Sequence, residues 1–172
     1  MDRRTGPARP SVTPAWAVRA LTPGERALAV EVFADDLRLE PIRILAAPWP
    51  FTRAFVPGRW FGRDWIVWPG RDLAPDLSAV ELRRQAVLVH ELVHVWQAQR
   101  GVNLLTGKLK AGDGPTAYAY AVSDDCLWPG LNIEQQAMIV EHRFRLSRGG
   151  TAPADHAFYE RVCPIGRRHM EI

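Results

Sequence analysis

His90, Glu91 and His94 lie in the stretch Ala86 to Gln97, A-V-L-V-H-E-L-V-H-V-W-Q, and their types and spacing could do chemistry. The pattern is H-E-x-x-H. On a helix of 3.6 residues per turn, positions i and i+4 share a face, so both imidazoles can meet on one metal ion. Neutral imidazole is a good zinc ligand, and a catalytic zinc keeps a position for water beside three protein ligands. Zn2+ is therefore the expected cofactor, with His90 and His94 as metal ligands and Glu91 as the general base that takes the water's proton. The neighbours Val87, Leu88, Leu92, Val93, Val95 and Trp96 are uncharged. A carboxylate among them is costly to bury unless something polar receives it.

A third ligand has to come from elsewhere in the chain. The extended pattern H-E-x-x-H-x-x-G-x-x-H would need Gly at position 97 and His at position 100, but these are Gln97 and Arg100. The carboxylates and imidazoles further on are Asp113, Asp124, Asp125, Glu134, Glu141, His142 and His156. Glu134 is preferred, because it falls in the first turn of a helix that Asn132 caps, where rigid backbone would hold a ligand. Hydrolysis through a tetrahedral oxyanion also calls for a hydrogen-bond donor beside the metal. Tyr118 and Tyr120 are the catalytic candidates for that donor, with His142 behind them.

Local signals give the elements that must position these groups. Thr22-Pro23-Gly24-Glu25 supplies a cap, a first-turn proline and a capping-box glutamate for a helix over 23–37. Ile42 to Leu45 alternates as a strand, and residues 52–56 and 64–68 form a hairpin joined by a turn region that begins at Pro57-Gly58 and contains Arg59–Gly62. Ser78 with Glu81 predicts the start of the motif helix, over 79–100, and Gly101 its stop. Residues 101–117 read as loop and 118–122 as a short strand or bridging segment. Asn132 with Gln135 opens a helix to about 146, and a last helix runs from Pro153 to Val162. Trp65, Trp68, Trp96 and Trp128 are expected in the core near the site.

A chain of 172 residues reads as one globular domain over 21–165, with an extended arm at 1–20 and a tail at 166–172. The net charge of +3 is spread along the chain rather than gathered into a stripe, which argues against nucleic acid as a partner. Cys126 and Cys163 form no C-x-x-C pair and are expected as buried free thiols. No apolar run approaches the length of a membrane span, and M-D-R-R-T-G-P-A-R-P has no signal-peptide core. A cytoplasmic location is expected, with export only by a dedicated secretion system.

H-E-L-V-H-V-W-Q followed by N-I-E-Q-Q-A resembles the small gluzincin-type zinc metallopeptidases. It is most similar to the compact H-E-L-x-H-x-x-Q domains associated with bacterial contractile injection systems and Vgr-related proteins. The resemblance covers about residues 40–147. It implies an α+β, zincin-like fold in which a small mixed sheet packs on the H-E-x-x-H helix and a second helix delivers the third ligand. His90, His94 and Glu134 take the ligand positions and Glu91 that of the base. A peptide or protein would be the substrate, paired to a strand near the motif helix for which 64–68 is the candidate, and secretion-system components would be partners. In this family Glu commonly follows Asn directly and an acidic residue stands four beyond it; here Ile133 intervenes and Met138 occupies the later position. Glu141 is left to orient a histidine or to pair with Arg145. A non-catalytic zincin-fold component or adaptor of an injection system is the alternative to a peptidase. A purely structural zinc ranks last, since the cysteines lie outside the motif spacing.

Overall fold

The structure is a computed structural model and describes residues 14–112 and 114–167. Residues 1–13 of the expected arm, the candidate ligand Asp113 and residues 168–172 of the expected tail lie outside the described residues.

Four strands form one mixed sheet: β1 (Val18–Arg19), β2 (Ile42–Ala47), β3 (Phe55–Trp60) and β4 (Arg63–Pro69), in the order β1-β2-β4-β3. β2 and β4 are parallel, with Ile44 opposite Ile66, and the outer pairs are antiparallel. Two expectations are corrected here. The hairpin turn is narrower than the expected region, because Pro57-Gly58 and the residues up to Trp60 lie within β3, where the register slips between Phe55 and Gly58. The turn is Phe61-Gly62, whose φ values of 52° and 72° suit a two-residue hairpin that matches the strand twist. The segment 64–68, expected to pair with peptide, is enclosed between β2 and β3, so β3 is the sheet edge on that side.

β4 is buried continuously from Ile66 to Pro69, whereas in β2 buried Ile42, Ile44 and Ala46 alternate with half-buried Arg43 and Leu45. The period of two in β2 leaves one face for the helices to cover. Helix α1 (Pro23–Phe33) carries both bonds of the Thr22–Glu25 capping box and ends four residues before the expected 37, giving way to a 3-10 turn over Ala34–Asp36. The motif helix is α2 (Leu82–Gln99). Its start differs from the sequence reading, because Asp76 accepts the Ser78 N–H and holds Leu77–Ala79 as a separate 3-10 turn, so no Ser78–Glu81 box forms. Its end is as expected: Gly101 takes φ 84°, Val102 N–H donates to the Gln97 carbonyl at 3.0 Å and Gly101 N–H to that of Ala98 at 3.0 Å.

Residues 101–117 are not simply loop, since α3 (Leu104–Ala111) stands there, capped by Asn103. No strand forms over 118–122. Helix α4 (Ile133–Ser147) has the complete Asn132–Gln135 capping box, and α5 (His156–Val162) begins after the Asp155 cap, three residues later than Pro153. α2 packs between the sheet and α4, so Leu88, Val89, Leu92, Val93 and Val95 are all fully buried. Cys126 and Cys163 are buried free thiols. Among the described residues no helix is long and apolar enough to cross a membrane.

One buried carboxylate ties the approach to α2. Glu25 is fully buried and accepts two 2.7 Å bonds from Arg19 of β1, one of 2.8 Å from Leu77 N–H and one of 2.9 Å from Thr22 N–H. Removing one partner of a buried charge pair leaves the other uncompensated, at about 3–5 kcal/mol. Glu25→Ala is therefore expected to cost about 3 kcal/mol or more in urea unfolding. Glu25→Gln, which keeps part of the hydrogen bonding, is expected to cost clearly less.

Candidate metal centre

His90 and His94 leave α2 on one face, one turn apart, and Glu134 leaves the first turn of α4 opposite them. The His90 Nε2 atom is 3.3 Å and the His94 Nε2 atom 3.2 Å from the same Glu134 oxygen, Oε2. The three groups are buried, with one ligand atom of each within 4.8 Å of the others, and together they could bind a metal ion.

Each histidine is held from behind. His94 Nδ1 lies 2.9 Å from Gln97 Oε1, and the Gln97 amide group donates to the Ile133 carbonyl and to Gln136 Oε1, both at 3.0 Å. Because Gln97 presents its oxygen, Nδ1 carries a hydrogen, and Nε2 is the ring atom left to face Glu134. His90 Nδ1 lies 3.1 Å from Glu141 Oε2, so Glu141 orients this imidazole; its other oxygen lies 3.9 Å from Arg145. Both partners considered for Glu141 are thus in contact with it. The orienting role of Gln97 was missed from sequence, although its position three residues after His94 on the same face was a readable signal.

The electrostatics fit a cation at this point. Burial alone would lower the His90 pKa, but hydrogen bonds to Glu134 and Glu141 outweigh it and raise it to about 9. Burial would raise the Glu134 pKa, but His90 and His94 pull it well below the usual carboxylate range. A divalent ion would take the place of the proton shared among these atoms. Ligands about 2.1 Å from a tetrahedral ion stand about 3.4 Å apart, close to the observed 3.2 and 3.3 Å. Glu91 adds an independent sign, since its buried Oε2 has no hydrogen-bond partner although it lines the cleft beside His90. A water held at the fourth position of the ion would satisfy that oxygen.

The cleft has a volume of about 520 Å³ and includes Trp68, Val87, His90, Glu91, Tyr118 and Met138 in its walls. The Tyr118 ring centroid is 6.4 Å from that of His90. The carbonyls on either side of Tyr118 are pinned to the start of α4, Ala117 by the Asn132 amide at 3.1 Å and Ala119 by Gln135 at 2.5 Å. Tyr120 is not part of this cleft. Its hydroxyl contacts His142 Nδ1 at 2.5 Å and the Tyr159 hydroxyl at 2.7 Å, and it lines a separate hollow with Cys126 and Leu131. His142 is engaged there too, and Asp124, Asp125 and His156 do not join the ligand group among the described residues. Of the tryptophans, Trp68 is buried, Trp96 and Trp128 meet edge-to-face at 6.0 Å, and Trp65 is half-buried. Sequence reading also missed Lys108 of α3, whose Nζ lies 3.9 Å from Glu134 Oε1.

No family profile matches the chain. Over 160 residues it is 35% identical to the type VI secretion system spike protein VgrG2b of Pseudomonas aeruginosa, an alignment covering 84% of this chain and 15% of the relative. The solved effector domain of Pseudomonas aeruginosa VgrG2b superposes with a TM-score of 0.64 at 28% identity, covering 92% of this chain and 85% of that one. The chain is homologous to the effector domain of VgrG2b. It therefore corresponds to one domain of the spike protein and spans about 15% of its length. The homology and the structure agree on an α+β architecture with a small mixed sheet and several helices.

Groups that orient metal-binding histidines typically contribute about 10–100-fold to affinity. Gln97→Ala and Glu141→Ala are each expected to weaken Zn2+ binding by about that factor, measured by competition with a chromophoric chelator. Glu134→Ala is expected to weaken it much further.

Proposed function

We propose that the chain is a zinc-dependent metallopeptidase of zincin-like fold, in which His90, His94 and Glu134 hold Zn2+ and Glu91 is the general base. The observation that carries this reading is the unpartnered Glu91 oxygen, buried beside two histidines and a glutamate that converge on one point. A bound zinc ion supplies the Lewis acidity that brings a water's pKa toward neutrality and polarises a peptide carbonyl. Glu91 holds that water, accepts its proton as the oxygen attacks, and returns the proton to the leaving amine. Gln97 and Glu141 keep both imidazoles aimed. Tyr118, on the cleft wall, is the proposed donor to the developing oxyanion, and Tyr120 is set aside because its hydroxyl is committed to His142 and Tyr159. With β4 enclosed, a peptide that adds to the sheet near α2 adds along the edge strand β3.

Homology to the effector domain of a type VI spike protein supports a role as a secretion-system effector, exported by that machinery and acting on a peptide or protein. Residues 21–165, joined by the short strand β1 (Val18–Arg19), then make up one zincin-like domain.

General acid–base residues contribute about 10²–10⁴-fold to rate. Glu91→Gln is expected to retain one zinc per chain and to lose hydrolysis of a casein or peptide-library substrate by about that factor. Zinc retained with hydrolysis unaffected would remove Glu91 from its role. A wild-type protein that binds zinc but cleaves none of the library would favour the non-catalytic component.

A further inference from the structure

The charges around the cleft are unevenly partnered. Arg53, Asp72, Arg83, Arg84 and Glu141 line it together with His90 and Glu91. Asp72 pairs with Arg71 at 3.3 Å, Arg84 with Glu81 at 2.9 Å, and Glu141 with His90 and Arg145. Arg53 and Arg83 are exposed and, among the described residues, make no hydrogen bond or ion pair. Among the described residues the cleft thus presents two guanidinium groups without an ion-pair partner, and no carboxylate of its lining is left to answer them except the proposed base.

Their positions are set by regular structure. Arg83, Val87 and His90 follow one another at intervals of four and three residues on α2, so they share a face, and Arg83 stands about 10 Å along the helix axis from His90. Arg53 lies two residues before the edge strand β3 and lines the same cleft. Val87, Ala54 and Pro69 supply apolar wall around them. A guanidinium is weakly hydrated and forked, which suits a carboxylate in such a setting better than an ammonium would. An extended peptide advances about 3.3 Å per residue, so 10 Å corresponds to about three residues.

We propose that Arg53 and Arg83 form a carboxylate-binding subsite that makes this cleft select acidic peptides, with the Asp or Glu side chain about three positions from the bond that is cut. The inference rests on the peptidase reading for the cut bond but on the two arginines alone for the selectivity.

The test uses matched peptide sets, each with Glu, Ala or Lys scanned through the positions flanking one cleavable bond. The wild type is expected to show a kcat/KM about tenfold higher for Glu than for Ala at one position about three residues from the cut, with most of the difference in KM. The preference should shrink as NaCl is raised. In the Arg53→Ala, Arg83→Ala double variant the Glu-to-Ala ratio should fall to about one, and Arg83→Glu should turn it toward Lys. Zinc content and the thermal midpoint confirm that each variant is folded. The same peptides are also titrated onto Glu91→Gln by fluorescence anisotropy, where acidic ones should bind about tenfold tighter. Equal binding of Glu and Ala peptides to Glu91→Gln, or a wild-type ratio of one at every position, overturns the subsite. If no peptide is cleaved while Glu91→Gln still selects acidic ones, the subsite stands and the peptidase reading falls.

Discussion

One carboxylate oxygen, Glu134 Oε2, lies between two imidazoles that come from a different helix, and the rest of the molecule is arranged to make that position tolerable. Burying a carboxylate among apolar side chains is expensive unless it is paired and hydrogen-bonded. Here the pairing is double, and each imidazole passes the obligation on, His90 to Glu141 and His94 to Gln97. Gln97 then donates to the Ile133 carbonyl and to Gln136, both on α4. The polar network therefore closes across the α2–α4 interface instead of ending in an orphaned group, the condition under which buried polar groups rigidify a core. Glu91 is the exception: one of its oxygens is buried without a partner, and the residue lines the cleft beside His90.

That network demands that α2 be fixed in both rotation and translation. A rotation of one residue position would carry His90 off the shared face by about 100°. The apolar residues around the remaining circumference resist it, since the sheet packs on one side and α4 on another. The helix ends resist sliding. At the C-terminal end, Gln99 donates to buried Asp64 at 2.7 Å and to the Arg38 carbonyl at 2.8 Å, joining the last turn to the start of β4. Near the N-terminal end, Glu25 holds the Leu77 backbone beside α1 and β1. Gly107 of α3 plays a comparable part for Glu134. A Cβ there would meet the Ile133 side chain at 2.8 Å, so the glycine lets α3 close on α4 and brings Lys108 near the Glu134 carboxylate.

What could be read in the sequence follows how local the deciding interaction is. The capping boxes of α1 and α4 and the Gly101 stop close within a few residues, and each forms as read. Ser78 and Glu81 carried the same signature, but Asp76 two residues earlier competed for the Ser78 N–H and won, moving the start of α2 to Leu82. Pro57-Gly58 has turn chemistry and was used as an irregularity within a strand, while Phe61, which no turn rule favours, adopts positive φ beside Gly62. α3 was hidden because Gly107 looked like a loop residue, and its packing reason lies on another helix. The same limit applied at the site. The two histidines and Glu91 are legible from a spacing on one helix, and Glu134 from its place in a capped first turn. Tyr118 and Tyr120, two residues apart in a stretch without regular structure, differ only in their tertiary partners. Asn132 and Gln135 fasten the backbone beside Tyr118, and His142 and Tyr159 take up the hydroxyl of Tyr120.

The fold separates what must be constant from what is free to change. His94 and Glu134 are almost completely buried, at 1% and 4% exposure, and their partners are bound into helix–helix packing, so a substitution there disturbs the interface as well as the ligand set. Arg53 and Arg83 lie on the exposed rim and, among the described residues, make no hydrogen bond or ion pair. The chain shares the scaffold of the VgrG2b effector domain at only 28% identity over most of its length. Selectivity encoded in rim charges can therefore change without disturbing the buried centre. The converse does not hold, because any change that moves α4 relative to α2 shifts Glu134 together with the Asn132 and Gln135 contacts that place Tyr118, and so alters the ligand group and the cleft wall together.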